Sequence, residues 1–489
     1  MYASGAAALA HLSRWAAANP RYLRLTDEAT DPQTGRSLAL AVFGDASANA
    51  TSAQQQHQRP RVFITCGIHA RELITVDTCV TLLRLLAAPD GDDDGGDDSN
   101  GSGVLAILAW PEMRAALGRA GLISAQAASG SAARALPAVR AAARRLASQV
   151  ELTVMPLLNP DSRATIEQKG SYALRVNGRG VDLNRNMLSH WWPPTAGQRP
   201  GHDTYPGPSA ASEWETRAVN AATATRGVDS YVDLHSGFVS LMGPSAHSAC
   251  GLKEALTRGS ARAHDRAMRA MQRAMPTPTV AGPTARVLYS AAGTTLDDAF
   301  NLRGARVSVA VEIYDSSFST RAGYSCPSYE AFWGAPCASS EEGGDDSVRC
   351  VEIRPAAAGA REGAAAAAAA PAVPPRVPDG ELLWDEIDDA AKLRALRERH
   401  GVSEAQVARL ASSGARLAGA DGAAALPDPV VPAAPWWAQD PVMRHASGDA
   451  SDRMWDVLTT FNPTEPADFR DVVSRWVAAL WLFALDAER

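Results

Sequence analysis

From its start to about Ser316 the chain alternates short apolar runs with helix-forming stretches, and that alternation constrains it to an α/β fold. The spacing predicts strands over Leu38–Phe43, Arg61–Cys66, Leu152–Leu158, Ser230–Leu234 and Arg306–Glu312. Between them it predicts helices over Ala6–Ala17, Leu73–Leu86, Ala132–Ala147, Glu213–Ala224 and Ala255–Met275. A chain of 489 residues that is 46% hydrophobic and 21% charged has enough apolar material for such a core. Its net charge of −7 argues against nucleic acid or an acidic membrane as partner.

Two regions read as insertions. The first, Pro89–Ser131, carries the acidic run from Gly91 to Asp98, a solvated loop without apolar anchors to fix its carboxylates. The second runs from about Phe318 to Asp449 and holds the alanine tract Ala364–Ala370 followed by a proline-rich spacer. Within it, Glu381–Gly419 has the periodicity of a small helical hairpin. After it, Asp471–Ala487 returns to a core-facing amphipathic pattern, with Val472, Val473, Trp476, Ala479, Leu480 and Phe483 three or four apart. Six cysteines in this length make no disulfide scaffold; Cys66 and Cys79 read as buried thiols, and the state of Cys326, Cys337 and Cys350 is open. The first residues show no basic stretch leading into an apolar one, so a cytoplasmic location is the default expectation and a secretory one follows if a leader is missing. The apolar stretch Trp476–Leu485 is too short to span a bilayer.

The chemistry gathers at the ends of three strand-like runs. Arg61–Cys66 leads into Gly67-Ile68-His69-Ala70-Arg71-Glu72, where a histidine and a carboxylate three apart offer a neutral nitrogen and an anionic oxygen suited to zinc. Tyr231–Leu234 ends in His235, which is either a structural histidine or a third ligand that leaves one coordination position open. Val307–Val311 ends in Glu312; a carboxylate there is either paired with an arginine or serves as a general base for an attacking water. Between them, the segment Arg175–Asn186 holds three arginines and three asparagines. That reads as an anion site, because arginine forks grip carboxylates.

In order along the chain stand His69-x-x-Glu72, Asn159-Pro160-Asp161, Val181-Asp182-Leu183-Asn184-Arg185-Asn186, Thr204-Tyr205-Pro206-Gly207, the strand-end His235 and the strand-end Glu312. This set resembles the zinc metallocarboxypeptidase family of the carboxypeptidase A type, peptidase family M14. The resemblance covers roughly residues 1–315 plus the final helix. It implies a mixed, twisted β-sheet with helices on both faces, interrupted by a long low-complexity and helical insertion. The catalytic domain would be 1–317 with a loop insertion at about 88–131, then the insertion at 318–449, then 450–489 completing the domain.

The same resemblance implies a hydrolase that cuts the C-terminal bond of peptides or proteins with one Zn2+ per chain. His69, Glu72 and His235 would hold the metal, Glu312 would be the general base, and Arg175 would stabilise the oxyanion. Asn184 and Arg185 would clamp the terminal carboxylate, Tyr289 would close over it, and Arg71 would touch substrate further from the cut. The side-chain pocket would be lined by Ala291, Leu296 and Ala310, an apolar set that favours release of hydrophobic residues. Two positions depart from the pattern: Gly237 stands where relatives often carry an aromatic, and Ala292-Gly293-Thr294 replaces a Ser-Gly-Gly segment. Two other readings share parts of the pattern, a zinc deacylase of the aspartoacylase type and a non-catalytic module that binds C-terminal tails. The Asn184-Arg185 pair with Tyr289 disfavours the first, and the presence of Glu312 disfavours the second. The oligomeric state is not readable.

Overall fold

The structure, a computed structural model, describes residues 2–31, 33–47, 59–87, 103–195, 197–248, 258–276, 279–316, 323–325, 351–353 and 458–487. The chain divides into one compact unit, Met1–Ile353 with Ala433–Arg489, and a second, Arg354–Pro432, which contains none of the described residues.

Helix α1 (Gly5–Ala18) begins at Ser4, whose hydroxyl accepts the Ala7 amide. Strands β1 (Leu23–Thr30) and β2 (Ser37–Phe43) follow as an antiparallel pair. Then come β3 (Arg61–Cys66), α2 (Leu73–Ala87), the short helices α3 (Val104–Leu108), α4 (Pro111–Arg119) and α5 (Ala125–Ala128), and α6 (Ala132–Gln149). Strand β4 (Glu151–Met155) precedes α7 (Pro160–Lys169), α8 (Trp214–Arg226), β5 (Ser230–His235) and β6 (Val239–Gly243). The described order ends with α9 (Arg258–Gln272), β7 (Val280–Pro283), α10 (Thr284–Val287), α11 (Thr295–Asn301), β8 (Val307–Ile313), the small strands β9 (Gly323–Ser325) and β10 (Val351–Ile353), and α12 (Pro466–Asp486).

Eight strands form one mixed sheet in the order β1-β2-β4-β3-β5-β8-β6-β7. Its centre is parallel, β4 beside β3, β3 beside β5 and β5 beside β8, while β1/β2, β2/β4 and β6/β8 pair antiparallel. The pleat sorts the central residues to two cores. Val62, Ile64, Val232, Leu234, Val309 and Val311 pack with α1, α2, α6, α9 and α12. Phe63 and Tyr231 point the other way, onto Trp214, Ala218, Val219 and Ala222 of α8 and Ala299 of α11. Strands apolar on both sides need helices on both faces, which is the architecture observed.

Helix α12 shows how strongly the far end of the chain is tied to the sheet. Trp476 and Trp481 are fully buried, and Trp476 donates its indole N–H to the Ile313 carbonyl over 2.8 Å, one residue past Glu312. Truncating such a side chain typically costs about 3–5 kcal/mol.

The structure differs from the sequence expectations in three places. The loop expected over Pro89–Ser131 holds three short helices between Val104 and Ala128, where Val104, Ile107 and Leu108, then Met113, Ala116 and Leu117, recur at helical spacing and are buried. The edge strand β1 carries Asp27 and Glu28, so its pattern is that of a half-exposed edge rather than an apolar run. Cys66 and Cys79 are not free thiols but a disulfide, with Cα atoms 6.7 Å apart; the end of β3 packs directly on the second turn of α2. The acidic run from Gly91 to Asp98, the stretch 354–449, and Cys326, Cys337 and Cys350 lie outside the described residues. Among the described residues, no helix is long and apolar enough to cross a membrane.

Candidate active site

The central strands end at one edge, and in parallel sheets that edge is where a crevice opens. His69 lies in the turn after β3 and Glu72 immediately precedes α2, while His235 is the last residue of β5. Glu312 is the register partner of His235 on the neighbouring strand β8. Two residues separated by 77 positions are therefore side by side because the strands are parallel and in step.

Both imidazoles turn Nδ1 inward. These two atoms are 3.2 Å apart, and Glu72 reaches them with Oε1 at 2.8 Å from His69 and Oε2 at 3.2 Å from His235. On their outer sides, His69 Nε2 is 3.2 Å from Asp182 Oδ1 and His235 Nε2 is 2.7 Å from Asp233 Oδ2. All five side chains are buried. The carboxylates behind the rings accept the Nε2 protons, which leaves two Nδ1 lone pairs and an anionic carboxylate facing one another. Burial opposes charge on Glu72, yet His69 and His235 hold it well below the usual carboxylate range. Burial likewise opposes charge on Asp182, and Arg175 and His69 overcome it. Two imidazole nitrogens and a carboxylate oxygen facing one another are a donor set that fits zinc.

Glu312 stands beside this cluster with Oε2 shielded from solvent and without a hydrogen bond. Burial first, and the Glu72 carboxylate second, push its carboxyl well above the usual range. Arg175 donates to Asp182 Oδ2 from Nε (3.1 Å) and Nη2 (2.9 Å), and its Nη1 lies 3.9 Å from Glu72 Oε1. The guanidinium is thus a fixed cation at the edge of the ligand cluster.

The remaining expected residues divide into two groups. Arg185 and Tyr289 meet, with Nη2 donating to the phenol oxygen over 3.3 Å, and Tyr289 is half exposed. Asn184 is buried. Its Nδ2 lies 3.2 Å from Asp233 Oδ2 and 3.0 Å from His235 Nε2, and its Oδ1 accepts the Thr295 amide, so it joins the metal side to the loop after Tyr289. Arg71 is further out, donating to Asp203 over 3.0 Å and sitting 4.3 Å above the Phe461 ring. Met242, Ala246, Leu296 and Ala310 form a small apolar cluster, and Ala291 donates its amide to the Ala246 carbonyl. Gly293 closes against the Arg185 carbonyl at a φ of 65°, a place where a side chain would collide with backbone.

Sequence reasoning missed the supports. Asp233 is two residues before His235, hence on the same face of β5, and that spacing was a usable signal. Asp182 stood unremarked inside the Val-Asp-x-Asn-Arg-Asn segment. Asn462 could not have been found: its Oδ1 accepts the Ile74 amide and its Nδ2 donates to the Arg71 carbonyl, across 388 and 391 residues of chain. Phe461 explains Gly237. A Cβ at that glycine would come within 2.6 Å of the Phe461 ring, so Phe461 of the C-terminal segment occupies the space that a side chain at 237 would need.

The zinc carboxypeptidase (peptidase M14) family model matches residues 9–94 and 124–333. Mouse carboxypeptidase A2 is 24% identical over 273 residues, 53% of this chain and 52% of the relative. Human carboxypeptidase B is 23% identical over 292 residues, 58% of this chain and 56% of the relative. The chain spans about half the length of the curated relatives it matches. Among solved structures, carboxypeptidase A from Helicoverpa armigera aligns with a TM-score of 0.46 at 20% identity over 64% of each chain. A family model matched over more than half of the residues, on a chain whose buried histidines and glutamate converge at the sheet edge, shows that the protein belongs to the M14 zinc carboxypeptidase family.

Proposed function

We propose that the chain is a zinc-dependent metallocarboxypeptidase that hydrolyses the C-terminal bond of peptides or proteins and preferentially releases hydrophobic residues. The observation that carries this reading is the pair of inward Nδ1 atoms, each braced from behind by a carboxylate, with Glu312 in register beside them. His69, Glu72 and His235 hold the ion. Zinc bound there supplies a Lewis acid that lowers the cost of deprotonating water and of polarising a carbonyl.

The chain's own residues do the rest. Glu312, with a free and shielded oxygen, takes the proton from the attacking water and passes it to the leaving amine. Arg175, locked by Asp182, presents a fixed positive charge to the oxyanion and costs no reorganisation when that charge develops. Arg185 and Tyr289 grip the terminal carboxylate, and Asn184 ties that grip to the Asp233 carboxylate behind His235. Arg71 meets the substrate upstream of the cut. The apolar cluster around Leu296 and Ala310, with Ala291 beside it, receives the departing side chain; an unpaired charge there would be costly to bury. Residues 1–317 and 450–489 make up the catalytic domain, and 318–449 is an insertion in it.

N-blocked dipeptides ending in Phe, Leu, Lys or Glu, assayed with and without a chelator, test the reading. Chelator-sensitive hydrolysis with Phe and Leu ahead is the expected result. Hydrolysis that survives the chelator, or that treats the C-terminal amide as well as the free acid, would overturn it.

A further inference from the structure

A second group of ligand-type side chains lies outside the catalytic cluster, where the segment after Arg185 meets the segment after Ala246. His190 is exposed and holds a φ of 54°, in the left-handed region that costs a non-glycine residue of order 1 kcal/mol. Its ring is stacked on that of His247, with centroids 3.5 Å apart and planes 5° from parallel. Behind His247 is Asp297, fully buried, whose Oδ2 lies 2.9 Å from His247 Nδ1. The Asp297 carboxylate also accepts the amides of Ala246 (3.0 and 3.1 Å) and His247 (3.1 Å).

The protonation pattern follows from these partners. An acceptor-only carboxylate at Nδ1 places the His247 proton there and leaves the Nε2 lone pair free. His190 has its Nδ1 occupied by the Ser189 hydroxyl at 2.8 Å, and its Nε2 makes no hydrogen bond among the described residues. One ligand atom from each of the three residues lies within 4.8 Å of the others. Each lone pair lies in its ring plane, so the two nitrogens converge on one ion only when exposed His190 tilts out of the stack.

We propose that His190 and His247 form a second binding site for a borderline divalent cation such as zinc, with Asp297 orienting His247 from behind. The arrangement repeats within the same chain the pairing of His235 with Asp233 at 2.7 Å. The ion joins the loop that carries Asn184 and Arg185 to the loop that carries the pocket residue Ala246, with water completing its shell. Exposed His190 swings to open the stack.

Equilibrium dialysis of the zinc-loaded chain against free zinc, with metal content read per chain, tests this. Two equivalents are expected for the wild type. His190→Ala and His247→Gln should each leave one, with hydrolysis of a Phe-ending dipeptide retained. A single equivalent in the wild type would overturn the proposal, and so would a second equivalent that persists in both variants. His190 is exposed, so its variant keeps the fold if His247→Gln does not. Hydrolysis by a one-zinc wild type separates failure of this site from failure of the proposed enzyme.

Discussion

His235 and His264 are both buried and both lie against strand β8, yet the structure treats them in opposite ways. On α9, His264 gives its Nδ1 proton to the Ser260 carbonyl at 2.8 Å and accepts the Ser308 amide at Nε2 over 3.0 Å. Both nitrogens are consumed by backbone, and burial pulls its pKa down to about 4. Burial acts in the same direction on His235, but Asp233 behind it and Glu72 in front outweigh that and raise its pKa. Burial therefore does not make a metal ligand. A carboxylate behind the ring fixes the tautomer, and a second carboxylate in front gives a cation the other half of a shared site.

The contrast can be broken experimentally, beginning on the catalytic side. Arg175→Ala should lower kcat by about 10²–10³-fold while zinc content stays at one per catalytic site, since it removes oxyanion stabilisation and no ligand. Steady-state kinetics with metal analysis on the same sample checks this; lost zinc would mean that Arg175 acts mainly through Asp182.

The next largest effect concerns the structural histidine. A histidine whose folded pKa lies below its unfolded value favours the native state above the unfolded pKa, and that contribution disappears as the unfolded chain takes up a proton. For His264 the window runs from pH 6.5 down to about 4, and the contribution lost is about 3 kcal/mol. Denaturant unfolding across that range should show the slope, and His264→Gln should flatten it without changing activity at neutral pH.

The smallest effect is on the support of His235. Asp233→Asn should weaken zinc affinity by about 10–100-fold, measured by competition with a chelator, because the ring loses the acceptor that sets its tautomer. The corresponding loss from altering Ser260 or Ser308 should be nil.

The strand-end residues were legible in the sequence for a simple reason. Arg61–Cys66, Ser230–His235 and Val307–Ile313 are apolar on both faces, so a polar side chain where each run closes stands out. Such runs also made the central strands themselves visible, whereas β1, an exposed edge with charged residues, left no comparable trace. Asp233 was within reach of the same logic by its two-residue spacing. Asn462 and Phe461 were not, because their contacts to Ile74, Arg71 and the Gly237 turn form only once the sheet has brought distant segments together. Pairing of Cys66 with Cys79 was hidden for a related reason: a turn and the start of a helix lie between two cysteines, 13 positions apart, that each read as ordinary core positions.

The central claim is that Glu312 works as the base beside a zinc held by His69, Glu72 and His235. Its most direct test is hydrolysis of an N-blocked dipeptide ending in Phe by Glu312→Gln and by the wild type, with zinc measured on both. Equal zinc and a rate lowered by about 10²–10⁴-fold in the variant are expected. Equal zinc with an undiminished rate would contradict the claim.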